Sequence, residues 1–272
     1  MNYLKIITRS FSDFFRDDGI TLAAALSYFS IMASVPLCLF LIAVFGHILG
    51  QYPEFYQFFS ARLINFFPAI TEGITNELGK LITFRGIGTL SILLYGFFSL
   101  QVFTSIDNAL NIIFKVKKKR AFFLSVLMSA SIVTFLIIML LVSFAATSLI
   151  PLLQTMKHFF PELRIGLLTA VLIRYVIPFF MVFFSIAVMY VLFPKTKVRM
   201  SHAFTGALFA TVFLEIAKHV FTWYVGTVAE FGTIYGPLTA FVVFLLWAFY
   251  SACIFLIGAE MVHILGLEKE KI

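Results

Sequence analysis

Three ionisable residues lie close together within a long apolar stretch of this 272-residue chain. Glu215, Lys218 and His219 occur in segment 201–226, whose other residues are apolar enough to cross a bilayer. Their i, i+3 and i+4 spacing places them on one face of a helix. The same face is extended by one turn in each direction by Thr211 and Thr222. Charged residues inside such a segment are costly, so this face is a candidate functional site.

A fourth costly residue, Arg174, lies in the preceding apolar stretch. If the two stretches are antiparallel spans, Arg174 lies ~14 Å and Glu215 ~16 Å below the outer ends of their helices. The pair therefore predicts either a buried ion pair that sets helix register or part of a site. Lys218 and His219 add positive charge near that level, which favours a site for an anion or a proton-coupled group. We interpret these four residues as the candidate substrate or ion site.

A row of polar side chains marks another apolar stretch, 87–113. Such a row indicates either hydrogen bonding between packed helices or the wall of a watery cavity, and the sequence favours neither. Asp107 lies beside this row, ~9 Å from one end of its helix, so its carboxylate reaches interfacial water. The candidate cavity wall comprises Gln101, Thr104, Asp107, Asn108 and Tyr224.

Composition indicates a membrane protein built from helices. The chain is 61% hydrophobic and 12% charged, and its mean hydropathy is +1.03, whereas soluble domains are about one quarter charged. The net charge of +7 is explained by basic loops that orient the chain in the bilayer, so we expect no nucleic-acid partner. Cys38 and Cys253 both lie in apolar stretches, which excludes a disulfide framework.

The predicted fold is a single all-α domain with six membrane spans. The first segment has the amphipathic pattern of a helix lying in the headgroup region, with basic residues toward anionic lipid. Its predicted apolar face comprises Leu4, Ile7, Phe11, Phe14 and Phe15. Segment 51–86 is too polar to span and predicts two short amphipathic helices outside the cytoplasm. Six stretches approach or exceed the ~20 residues that a bilayer needs. We place the spans at 20–49, 87–113, 121–150, 165–193, 201–226 and 235–265.

Lysine and arginine are distributed unequally between alternate loops of this topology. Five lie on one side, namely Arg62, Lys80, Arg85, Lys157 and Arg164. Thirteen lie on the other, namely Lys5, Arg9, Arg16, Lys115, Lys117, Lys118, Lys119, Arg120, Lys195, Lys197, Arg199, Lys269 and Lys271. The more basic side is the cytoplasmic one. The sequence therefore predicts that both termini are cytoplasmic.

The remaining histidines give no sign of a metal or a cofactor. His47, His158, His202 and His263 lie at predicted span ends or in loops, where structural or solvated roles are expected. None stands at metal-ligand spacing from Cys, Asp or Glu. The chain also lacks the glycine-rich loop and lysine of a nucleotide-binding P-loop. The energy for any transport would therefore come from an ion gradient or from a partner protein.

Several separated motifs resemble one family. Tyr235-Gly236-Pro237-Leu238 is followed by Leu246-Trp247-Ala248-Phe249-Tyr250-Ser251 and by Leu256-Ile257-Gly258-Ala259-Glu260. Earlier come Leu22-Ala23-Ala24-Ala25-Leu26-Ser27-Tyr28 and the Glu215, Lys218, Phe221, Tyr224 series. Together these resemble the YihY/BrkB family over nearly the whole chain, with Tyr235, Gly236, Trp247, Gly258 and Glu260 as motif residues. The resemblance implies a bacterial inner-membrane protein with about six spans, for which transport has been proposed.

Three hypotheses of function follow. The first is a transporter or flippase for an anionic or amphipathic substrate, and the second is a non-transporting envelope scaffold or regulator. The third is the ribonuclease activity under which the resembled family was formerly filed, and the acidic residues of the predicted cytoplasmic segments form no constellation for it. We therefore expect no enzymatic activity and no cofactor. The bilayer is the expected partner, and small-residue helix faces permit a homo-oligomer.

Overall fold

A computed structural model describes residues 3–33, 87–116, 175–227 and 239–269. Within these ranges the chain is helical and contains no strand, as the all-α prediction requires. Their helices are α1 (Tyr3–Arg16), α2 (Gly19–Ala33), α3 (Ile87–Ile113), α4 (Ile177–Leu192), α5 (Met200–Thr227) and α6 (Thr239–Lys269).

Two of these helices contain segments long and apolar enough to cross a membrane. They are Met200–Val225 in α5 and Phe241–Leu267 in α6, and α2 and α4 are shorter apolar helices. The predicted span 87–113 has the same bounds as α3, and the predicted span 201–226 differs from α5 by one residue at each end. The span predicted at 121–150 and the short helices predicted at 51–86 lie outside the described residues.

The chain forms two compact units. The first consists of residues 1–17, 110–216 and 254–272, and the second of residues 18–109 and 217–253. Helix α5 therefore contributes its first part to one unit and its last part to the other.

Two turns around the first unit use a non-glycine residue in the left-handed region. Asp18 has φ 55° at the break between α1 and α2, where the sequence Asp-Asp-Gly interrupts the helical pattern. Lys115 also has φ 55° and follows the end of α3. The Val116 N–H donates to the Asn111 carbonyl at 2.9 Å and the Lys115 N–H donates to the Ile112 carbonyl at 3.1 Å. These two bonds form a Schellman cap, in which glycine is the usual left-handed residue.

The core of the first unit is a close crossing of α5 and α6. A Cβ built at Gly206 would lie 2.8 Å from the Gly258 carbonyl oxygen, and one built at Gly258 would collide with the Tyr190 hydroxyl. The Tyr190 hydroxyl itself donates to the Phe255 carbonyl at 2.5 Å. In a bilayer the hydrophobic effect does not drive helices together, because lipid is as apolar as the helices. Small residues stabilise such a crossing by letting the two backbones approach and make close van der Waals contacts. The buried small residues of this crossing include Ala203, Ala207, Ala210 and Ala259.

Helix α1 packs against the end of α6. Ile6 is buried in a cluster with Met261, Ile264 and Leu265, against which Phe209 also packs. The sequence predicted the helix but not this docked side, because the amphipathic pattern suggested only contact with lipid. Leu4 and Phe15, members of the predicted apolar face, remain 74% and 61% exposed. Helix α1 thus has a protein-facing side and a separate exposed apolar side.

Candidate functional site

The charged face of α5 lies in the last part of that helix. Glu215 is half-buried, whereas Lys218 and His219 are exposed. The hydroxyl of Thr211 donates to the Ala207 carbonyl, and that of Thr222 donates to the Lys218 carbonyl, each at 2.8 Å. Both threonines extend the face as predicted, but their hydroxyl protons are directed to carbonyls of their own helix.

Arg174 lies outside the described residues, so its pairing with Glu215 stays a prediction. The motif residues Tyr235 and Gly236 also lie outside the described residues. The described part of the proposed site is therefore the helical face of Glu215, Lys218 and His219, at one level of one helix.

The predicted cavity wall on α3 does not have uniform exposure. Gln101 is half-buried, Thr104 and Asn108 are exposed, and Asp107 is buried. The Thr104 hydroxyl donates to the Leu100 carbonyl at 2.7 Å. Tyr224, the wall residue predicted on α5, is exposed. The predicted wall therefore combines a buried acid, a half-buried amide and three exposed polar residues.

Glu260 is the most deeply buried charged residue that the structure describes. It is 1% exposed, and within the described ranges neither of its carboxyl oxygens has a hydrogen-bond partner. Glu260 lies about one turn from the predicted cytoplasmic end of its span, which allows either a snorkelling or a buried side chain, and the structure places it in the interior. The charges acting on it come from Asp17, Lys115 and Asp13. A carboxylate removed from water is costly unless charge or hydrogen bonds compensate it.

Three of the four residues of two ion pairs in the first unit, Asp13, Asp17 and Lys115, act electrostatically on Glu260. The Lys115 ammonium donates a hydrogen bond to the Asp17 carboxylate, which joins the end of α3 to the end of α1. The Arg9 guanidinium lies 3.4 Å from the Asp13 carboxylate, one helical turn away on α1. By their positions in the sequence alone, these four residues are ordinary loop and surface charges. The interruption of the helical pattern at Asp17 signalled a turn, but nothing local in the sequence indicated that Lys115 would reach it.

The other motif residues have packing roles in the structure. Gly258 provides the close approach of α5 and α6. The Trp247 and Phe221 rings in the second unit lie with their centroids 5.4 Å apart. Among the described residues, no group of three or more His, Cys, Asp or Glu is placed to hold a metal ion. The described arrangement thus consists of fixed charges and close helix contacts.

Comparison with known proteins identifies the family of this chain. A family model described as "Virulence factor BrkB" matches residues 10–271. A "UPF0761 membrane protein" of Aliivibrio fischeri is 31% identical over 261 residues, covering 92% of this chain and 79% of that protein. One of Vibrio parahaemolyticus is 30% identical over 254 residues, covering 91% of this chain and 77% of that protein.

A further relative, a "UPF0761 membrane protein" of Prosthecochloris aestuarii, is 28% identical over 271 residues. The match covers 98% of this chain and 61% of that protein, so the chain spans about three fifths of that relative's length. No solved structure matches the chain. These relatives are named as membrane proteins, and their names state no enzymatic activity. Because the family model matches nearly the whole sequence, the chain is a membrane protein that belongs to the BrkB virulence factor family.

Proposed function

We propose that this protein is a multi-pass inner-membrane transporter or flippase whose charged site comprises Arg174, Glu215, Lys218 and His219. One observation carries the proposal: Lys218 and His219 are exposed on a helix segment, Met200–Val225, that is apolar enough to cross a membrane. The site holds more basic than acidic side chains, which favours an anionic substrate. For a flippase this substrate would be an amphipathic anion.

The cost of charge in hydrocarbon supports a watery or substrate-filled surrounding for this face. Lys218 lies ~10 Å along the helix from Val225, the end of the apolar segment. A lysine at this depth reaches the interface only by extending its side chain along the helix. Histidine and glutamate are shorter, so a lipid-facing position for the whole face would be expensive. A cavity that admits an anion removes that cost and uses the charges.

The proposal is tested by flux in proteoliposomes with two probes. The first is fluorescently labelled phosphatidylglycerol, whose translocation is followed by its accessibility to dithionite, and the second is chloride, followed by an ion-selective electrode. We expect protein-dependent movement of at least one probe. We expect Lys218→Gln and Glu215→Gln to reduce that movement about tenfold or more, because each removes a charge-assisted interaction worth roughly 1.5–3 kcal/mol.

Arg16→Gln is the matched control, because Arg16 is an exposed cation of α1 outside the predicted spans. It should leave the flux within twofold of the wild type. Flux equal to that of protein-free vesicles would argue against transport of these anions and in favour of a scaffold or regulatory role. Protein-dependent flux that survives unchanged in Lys218→Gln, Glu215→Gln and Arg174→Ala would remove this site from the proposal.

A further inference from the structure

A cavity of about 420 Å³ lies in the first unit, beside the end of α6 and the beginning of α5. Its lining includes two cations from the segment before α5, Lys197 and Arg199, and two histidines, His202 and His263. Small-molecule sites in proteins have volumes of about 300–1,000 Å³. The space is therefore large enough for an organic anion, and the sequence had suggested only structural or solvated roles for these histidines.

The charge of the lining has one sign. None of the described residues that line the cavity is acidic. Asp13 and Asp17 act electrostatically on His263 and do not line the cavity, but Asp13 pairs with Arg9 and Asp17 pairs with Lys115. The nearby acids on α1 are thus compensated by their own partners, and Lys197 and Arg199 give the lining a net positive charge.

Glu260, a further acid on α6, does not line the cavity. It is buried and interacts electrostatically with Lys115. Phe114 also lines the cavity, with its ring centroid 5.4 Å from that of His263, and contributes an apolar surface to it. An anion entering here would meet cations, histidines and an aromatic edge.

The cavity also lies at the beginning of a long helix. Arg199 directly precedes Met200, the first residue of α5, and His202 lies in the first turn of that helix. The His202 N–H donates to the Arg199 carbonyl at 3.0 Å. The helix dipole places partial positive charge at this end, equivalent to about half an elementary charge for a long helix. The dipole acts in addition to the side-chain cations, and both favour a bound anion.

The level of the cavity relative to the bilayer follows from the same two helices. The apolar segment of α5 begins at Met200 and that of α6 ends at Leu267, and the cavity lies between these ends. Apolar side chains at this level, among them Met200 and Leu267, are exposed. A cationic cavity at the boundary between hydrocarbon and water stands where lipid phosphates are found.

We infer that this cavity binds a phosphate-bearing anion at the membrane surface, supplied by a lipid headgroup or by a soluble phosphate compound. Arg199 offers a planar fork of donors that matches phosphate oxygens, and Lys197 offers a compact charge. The site is separate from the charged face of α5 and does not rest on the transport proposal. On the predicted topology it opens on the cytoplasmic side.

Binding is measured with the purified full chain in neutral detergent. Native mass spectrometry compares phosphatidylglycerol, an anionic lipid, with zwitterionic phosphatidylcholine, and titration calorimetry measures inorganic phosphate. We expect tighter binding of phosphatidylglycerol than of phosphatidylcholine if the source is lipid, and direct binding of inorganic phosphate if it is soluble. The double variant Lys197→Gln/Arg199→Gln should lower the affinity for the probe that binds by about tenfold or more.

The matched control is Lys195→Gln, which removes a cation of the same segment that does not line the cavity. Its affinity should stay within twofold of the wild type. A second variant, Gly266→Phe, keeps every cation and fills the space instead. Gly266 lines the cavity and a Cβ there meets no atom within 4 Å, so we expect a large side chain at this position to reduce the space for a ligand.

The inference is supported if both the charge variant and the filling variant lose the same probe while their thermal melting in detergent stays unchanged. It is contradicted if neither probe binds, or if binding survives in Gly266→Phe and in the charge variant. Equal loss in Lys195→Gln would also contradict it, because general surface charge would then explain the binding.

Discussion

The two halves of α5 have opposite surroundings, although they belong to one continuous helix. In the first half Ala203, Gly206, Ala207, Ala210 and Thr211 are buried. From residue 212 to residue 225 no described residue is buried, and Ile216 is 53% exposed. The first half carries small residues that allow close packing, whereas the second half carries the charges. The first half is thus a packing segment, and the second half carries the proposed functional residues.

The largest expected effect tests the packed half. Gly206→Val should destabilise the protein by about 3 kcal/mol or more, because its side chain would overlap Val262 and the Gly258 backbone. Gly266→Ala is the control, since a methyl group there meets nothing within 4 Å and should be neutral or slightly stabilising. Thermal unfolding in detergent measures both. Equal melting of the two variants would show that α5 and α6 do not approach closely in the membrane protein.

A somewhat smaller effect is expected where α3 ends in the packed unit. Lys115→Ala should cost about 1–2 kcal/mol, because it removes the bond to Asp17 and leaves Asp17 and Glu260 without their cation. Lys115→Gly loses the same bond but relieves the left-handed backbone, which costs a non-glycine residue about 1 kcal/mol. We therefore expect the glycine variant to melt above the alanine variant. The reverse order would contradict the left-handed cap.

Removal of a single hydrogen bond beside the crossing should have a modest effect. Tyr190→Phe deletes the hydroxyl that donates to the Phe255 carbonyl and should cost about 1 kcal/mol. The same change removes the atom against which a Cβ at Gly258 would collide. Gly258→Ala should consequently be less harmful in the Tyr190→Phe background than alone. Additive effects in a double-mutant cycle would show that the two residues do not touch.

The smallest effect is expected in the exposed half. Ile216→Ala should change stability by less than about 0.5 kcal/mol, as surface substitutions usually do. Leu208→Ala is its control, because Leu208 is similarly exposed, at 49%, but lies on the outer side of the packed half. Unfolding in detergent and size-exclusion chromatography compare them. Selective destabilisation or dissociation by Ile216→Ala would mean that the exposed half is covered by another copy of the chain.

For the described residues, the sequence predicted the positions of helices better than it predicted which helices pack against one another. The bounds of α3 and α5 agree with the predicted spans because helix length and apolar composition are local properties. The turn after α1 also follows from local residues. By contrast, the docking of Ile6 on α6 depends on residues more than two hundred positions apart. An amphipathic pattern identifies an apolar side, but it does not name what covers that side.

The candidate residues divide in the same way. Glu215, Lys218 and His219 were identifiable because charge inside an apolar segment is costly wherever the segment packs. His202 and His263 were not, because each alone is an ordinary histidine near a helix end. Only the folding of distant segments brings them to one cavity with Lys197 and Arg199.

Membrane class, family and the charged face of α5 were therefore determined by the sequence itself. They depend on composition, on helical period and on ordered motifs, all of which act over short distances along the chain. The tertiary structure alone decided that Gly258 faces Gly206, that Glu260 is buried beside the Asp17–Lys115 pair, and that the cationic cavity exists. These features arise from contacts between helices, where the neighbour of a residue is set by packing and by the compensation of buried charge.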